Sequence, residues 1–87
     1  MERRVYISVN VSFNPDGQML PRSFKWSDGN SYRIDRIAQI KPAYTTKAGG
    51  IGERYSIYVN GKQSYLYFEP SGELEGNRVG RWYVKTA

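Results

Sequence analysis

The 87-residue sequence contains neither cysteine nor histidine. Without cysteine there is no disulfide and no thiolate metal ligand, and without histidine the usual general base near neutral pH and the commonest zinc ligand are missing. The remaining carboxylates show no spacing that would pair them for acid–base chemistry. We therefore expect a protein that is not an enzyme, with no catalytic residue, no metal site and no cofactor.

Acidic residues are also scarce. Eight Asp and Glu stand against thirteen Lys and Arg, which gives a net charge of +5 and an isoelectric point near 9.6. Such a balance favours polyanionic partners through long-range attraction without naming one. The segment 5–13 alternates apolar residues with Ser and Asn, unlike a signal peptide or a membrane span, and the lack of cysteine suits a reducing compartment. We expect a cytoplasmic protein with no membrane partner.

What the sequence has in abundance is aromatic residues and turn signals. Aromatic residues make up 15% of the chain, and eight of them are tyrosines. Apolar and polar residues alternate from Val5 to Phe13, which indicates a β-strand, and the segments 14–17 and 27–30 have the composition of tight turns. Short strands between regularly spaced turns predict one all-β domain over residues 1–87. We expect a small antiparallel, partly open β-barrel, SH3-like or OB-like, with about six strands, and a sandwich of two sheets is the alternative that fits the same pattern.

The third predicted strand does not keep a period of two. Ile34, Ile37 and Ile40 are three residues apart, which fits neither a regular strand nor a long helix. A β-bulge or bend at Asp35-Arg36 would return Ile37 to the core, and a single helical turn is the alternative.

Residues 53–69 predict a β-hairpin, because Asn60-Gly61 supplies the two positive-φ positions of a type I′ turn. That turn fixes the register and therefore the face on which each side chain lies. The apolar face of the hairpin carries Ile57 and Leu66. The core is predicted to contain four large aromatic residues: Trp26, Tyr55, Phe68 and Trp82.

The other face of the hairpin groups tyrosines with a base and is too polar for a dry core. Aromatic rings with neighbouring cations suit single-stranded DNA or RNA, since bases stack on rings while cations hold the backbone. A protein or peptide partner is the second interpretation of this face and a homodimer the third, and tyrosines are also ordinary strand residues. Arg36 would extend the face. The candidate binding residues are Arg54, Tyr58, Tyr65, Tyr67, Lys62 and Lys47.

Three short segments of the chain carry a resemblance to a known group of proteins. They are the Trp-x-Asp-Gly-x-x-Tyr turn at 26–32, the Gly-Gly-x-Gly-x-Arg-Tyr segment at 49–55 and the Arg-Trp-Tyr-Val strand at 81–84. Over most of its length the chain resembles short, functionally uncharacterised bacterial proteins of the small β-barrel type. The resemblance implies no activity, and implies only that the unit stands alone as a domain.

Overall fold

The computed structural model describes residues 2–46, 50–72 and 78–86. These residues form seven β-strands and no helix, so the described part of the chain contains no helix that could cross a membrane. The strands are β1 (Arg3–Phe13), β2 (Met19–Lys25), β3 (Ser31–Arg33), β4 (Arg36–Tyr44), β5 (Ile51–Val59), β6 (Lys62–Pro70) and β7 (Gly80–Thr86).

All seven strands form one antiparallel sheet in the order β3-β2-β1-β7-β6-β5-β4. Its two edge strands, β3 and β4, are consecutive in the chain and are separated by only Ile34 and Asp35. The sheet therefore curls into a half-barrel, because a two-residue link brings its opposite edges together. This confirms the predicted all-β, partly open barrel.

The strand count is seven rather than the predicted six, and the difference lies at Ile34 and Asp35. The Ile34 amide donates a hydrogen bond to the carbonyl of Arg22 on β2, at 2.9 Å, whereas the Asp35 amide donates to that of Tyr58 on β5, at 2.8 Å. The backbone changes partner between these two residues. One predicted strand therefore becomes two, on opposite edges of the half-barrel.

The irregular isoleucine spacing is resolved by this break and by a bulge further along. Ile37 pairs with Ile57 and Gln39 with Ser56, so Ala38 is the extra residue of a β-bulge. The bulge restores Ile40 to the face of Ile37. It lies three residues after the predicted site at Asp35, and no helical turn forms.

The predicted hairpin register is confirmed at every position. Val59 pairs with Lys62, Tyr58 with Gln63, and the ladder continues to Glu53 and Phe68. Asn60 has φ 52° and Gly61 φ 78°, as a type I′ turn requires.

The core lies on the inner face of the half-barrel. Its buried members are Ile34, Tyr55, Ile57, Leu66, Phe68 and Trp82. The core positions predicted for Tyr55, Phe68 and Trp82 are thus confirmed. That predicted for Trp26 is wrong: Trp26 is half-buried, lies just beyond β2, and is not part of the core cluster.

Candidate functional site

The opposite side of the sheet, here called the outer face, is basic and rich in tyrosine. Directly paired residues share a face, so the register places Arg54, Tyr67, Tyr83 and Tyr6 in one row across β5, β6, β7 and β1. Among the described strand residues, this face carries Glu69 as its one acidic residue. The bases that the register assigns to it are Arg4, Lys25, Arg33, Arg36, Lys41, Arg54, Arg81 and Lys85.

Two pairs of like charges lie directly opposite each other on this face. Arg4 pairs with Lys85 across β1 and β7, and Lys41 pairs with Arg54 across β4 and β5. Like charges in directly opposed positions destabilise a sheet. Arg4 and Lys85 each have a carboxylate partner, Glu69 and Glu2, whereas no ion pair offsets the charges of Lys41 and Arg54 among the described residues.

Tyrosine rings hold most of these cations in place. The distances from the cationic group to the ring centroid run from 4.1 to 4.7 Å, within the range of cation–π attraction. Such contacts occur about once per 70–80 residues in proteins, so this face is strongly enriched in them. The pairs are Arg4 with Tyr83, Arg36 with Tyr58, Arg54 with Tyr65, Arg81 with Tyr6 and Lys85 with Tyr67.

Tyr83 forms the centre of this aromatic layer. Its side chain is fully buried, it stacks on Tyr67 with centroids 5.0 Å apart, and it meets Tyr6 edge-on at 5.6 Å. Burial raises the pKa of the Tyr83 phenol, and the nearby Arg4 guanidinium opposes that shift. The sheet therefore carries a second packed layer on its outer face, although no aliphatic core lies there.

Glu69 anchors one end of the layer. It is 7% exposed and pairs with Arg4 at 3.0 Å and with Arg81 at 2.8 Å, while the Tyr6 hydroxyl lies 3.3 Å from the same carboxylate. Arg4 also donates a hydrogen bond to the carbonyl of Thr45, which follows β4. Arg4 and Arg81 are therefore partly neutralised within the protein, whereas Arg36, Lys41 and Arg54 make no ion pair among the described residues.

A guanidinium that lies over a ring keeps the N–H groups at its edges available. Ring contact restricts the rotation of the long side chain, so less entropy is lost when those donors bind an anion. Phosphate and carboxylate match this fork of donors in geometry. The outer face thus offers a row of ordered anion-binding groups.

The predicted binding residues fall into three groups in the structure. Arg54, Tyr58, Tyr65 and Tyr67 lie together on the outer face. Lys62 does not lie with them, because it is opposite Val59 on the inner side of the hairpin. Lys47 lies outside the described residues.

Sequence analysis missed half of the outer face. Arg4, Tyr6, Arg81, Tyr83 and Lys85 come from β1 and β7, which are far apart in the chain but adjacent in the sheet. The alternation within β1 and β7 predicts that these side chains lie on the face away from Val5 and Trp82. Only the strand order shows that β7, with β1 beyond it, lies beside the β5–β6 hairpin.

No protein-family model matches this chain, and neither a curated protein nor a solved structure matches it. The resemblance to short bacterial β-barrel proteins remains a prediction.

Proposed function

We propose that this protein binds nucleic acid through the outer face, and that it does so mainly through the phosphate backbone. The observation that carries the proposal is the opposed pair Lys41 and Arg54, neither of which makes an ion pair among the described residues, on a face whose described strands hold one acid. An extended polyanion relieves that repulsion, and a compact neutral partner does not.

This proposal changes the role that the sequence analysis gave to the tyrosines, which was to stack on nucleobases. Cations already lie over Tyr58, Tyr65 and Tyr67, and Tyr67 also stacks on Tyr83. A base would have to displace a cation or find a remaining ring surface. The tyrosines therefore act chiefly by ordering the cations that contact phosphate.

The homodimer alternative is disfavoured by charge. Two copies meeting through this face would bring like-charged surfaces together. A dimer of that kind would persist in high salt and run at twice the monomer mass in size exclusion with light scattering.

The test is fluorescence polarisation with random single-stranded DNA and RNA over a series of salt concentrations. Binding through phosphates should weaken steeply as salt rises, and Arg54→Gln should make the slope of log K against log salt shallower by about 0.7 for the lost contact. Arg3→Gln is the matched control, because Arg3 is opposite Thr86 and lies on the inner side of β1, away from the outer face. Affinity that does not change with salt would overturn the proposal.

A second variant separates charge from its positioning. Tyr65→Ala keeps the Arg54 charge but removes the ring that lies 4.7 Å from it. We expect the affinity to fall a few-fold while the salt slope stays near that of the wild type, because the number of phosphate contacts is unchanged.

A further inference from the structure

A cleft of about 410 Å³ lies at one end of the half-barrel, between the Asn60-Gly61 turn and the β2–β3 hairpin. Its aromatic wall is formed by Phe24, Trp26 and Tyr32, and Lys62 and Lys85 lie along it. The volume falls in the range of small-molecule sites, which combine an apolar lining with a few polar groups.

Trp26 distinguishes this cleft from the outer face. Phe24 and Tyr32 stack on each other at 5.6 Å, whereas Trp26 has no ring or cation partner among the described residues. Trp26 is half-buried and stands outside the core cluster. No cation covers the ring of Trp26 among the described residues, whereas cations lie over the tyrosine rings of the outer face. Trp26 therefore offers an aromatic surface on which a ligand can stack.

The charge of the cleft defines its ligand. Two lysines line it and no carboxylate does. Lys85 also joins the cleft to the outer face, because its ammonium lies 4.7 Å from the centre of the Tyr67 ring. A ligand that matches the aromatic wall and the lysines has a planar aromatic ring with an anionic group next to it. Because Lys85 joins the cleft to the outer face, this ligand would be one part of a polyanion bound on the outer face.

We infer that the cleft binds one nucleobase of a single strand whose sugar–phosphate backbone lies on the outer face. The base stacks on Trp26 and the neighbouring phosphate contacts Lys62. This inference rests on the proposed function, and it adds a base-dependent contribution that backbone contacts alone do not supply. An acidic peptide lying along the aromatic wall is the rival occupant.

The experiment compares two labelled strands of twelve units, one of thymidine and one of abasic deoxyribose with the same number of phosphates. We expect the wild type to bind the thymidine strand about 10-fold more tightly, as one stacked base would give. Trp26→Leu should reduce the ratio to about 2-fold or less. Lys62→Gln should weaken binding of the thymidine strand a few-fold and leave the affinity for the abasic strand unchanged. The reason is that Lys62 contacts phosphate only when a base occupies the cleft.

Intrinsic fluorescence gives a second readout on the unmodified protein. Trp82 is buried in the core at 7% exposure, so a change caused by a ligand reports on Trp26. The thymidine strand should change tryptophan emission and the abasic strand should not. Arg22→Gln, which removes a charge that does not line the cleft, should leave the ratio of the two affinities and the change in tryptophan emission as in the wild type.

The outcomes separate the inference from the proposed function. Equal affinity for the two strands, or a ratio that survives Trp26→Leu, would overturn the inference while backbone binding stands. Failure of both strands to bind would overturn both. In the third outcome, binding of an acidic proline-rich peptide depends on Trp26, and the peptide abolishes the fluorescence change that the thymidine strand causes. That result would assign the cleft to a protein partner and overturn the inference.

Discussion

Glu69 is the residue at which the needs of folding and of the proposed nucleic-acid binding conflict most directly. Its carboxylate is nearly buried and joins Arg4, Arg81 and the Tyr6 hydroxyl. We expect Glu69→Gln to lower the free energy of unfolding by about 1–3 kcal/mol, because two guanidinium groups lose a charged partner. The same change should raise the affinity for single-stranded DNA, because it removes a negative charge and releases two cations. Urea unfolding and polarisation titrations measure the two effects.

Glu2→Gln is the matched control for this prediction. Glu2 is 71% exposed in its side chain and lies 3.6 Å from Lys85, so its loss should change stability by no more than about 0.5 kcal/mol. A Glu69→Gln protein that lost both stability and affinity would show that the carboxylate orders the binding face and does not compete with the ligand.

Tyr55 makes stability depend on pH in the alkaline range. Burial, with a smaller contribution from Glu53, raises its pKa from 10.0 to about 12. The folded state therefore holds the phenolic proton more tightly than the unfolded state. The contribution of this group to the free energy of unfolding is fully present below pH 10 and is lost as the pH rises through about 12. A pKa difference of two corresponds to roughly 2.7 kcal/mol.

The measurement compares the wild type with Tyr55→Phe by urea unfolding from pH 8 to pH 12. At pH 8 the wild type should be more stable by about 1 kcal/mol, since the Tyr55 hydroxyl donates to the carbonyl of Met19 at 2.9 Å. Above pH 11 the order should reverse, because the phenol of unfolded wild type ionises near pH 10 and stabilises the unfolded state, which Tyr55→Phe cannot do. Parallel curves over the whole range would contradict the prediction.

At the scale of single elements, the β5–β6 hairpin depends on the backbone conformation of its turn. Gly61 has φ 78°, a region that costs other L-residues about 1–2 kcal/mol. Gly61→Ala should therefore destabilise the protein by about that amount, although nothing lies within 4 Å of the added methyl group. Gly72→Ala is the control, because Gly72 has equal space and no positive φ. Equal unfolding midpoints in urea for the two variants would be evidence against turn strain.

The same turn explains why the hairpin was predictable and the β3–β4 segment was not. Asn60-Gly61 fixes the pairing locally, so Tyr58, Tyr65 and Ile57 could be assigned to faces from sequence alone. The partner exchange at Ile34 and Asp35 depends on β2 and β5, which are remote in the chain. The isoleucine spacing did indicate a bulge, but its position at Ala38 depends on the pairing of β4 with β5, which the local pattern does not contain.

At the scale of the whole molecule, the strand order decides what the outer face contains. Alternation in β1 and β7 identifies which residues share a side within each strand, and it does not identify neighbouring strands. Because β1 pairs with β7, Tyr6 and Tyr83 extend the row that begins with Arg54 and Tyr67. Sequence analysis thus found the hairpin part of the face, and it assigned Lys62 to that face although the predicted register placed it on the inner side.

The collected charge of the outer face makes a prediction about the fold itself. Lys41 and Arg54, which make no ion pair among the described residues, repel each other most at low ionic strength, where screening is weak. Raising NaCl from 10 mM to 0.5 M should therefore raise Tm by about 2–4 °C, which corresponds to roughly 0.5 kcal/mol in a domain of this size. Lys41→Thr should be more stable than the wild type in 10 mM NaCl and should gain less from added salt, because one repelling pair is gone. A Tm that falls with salt in the wild type would mean that attractive ion pairs outweigh the repulsion, and it would remove the like-charge argument on which backbone binding rests.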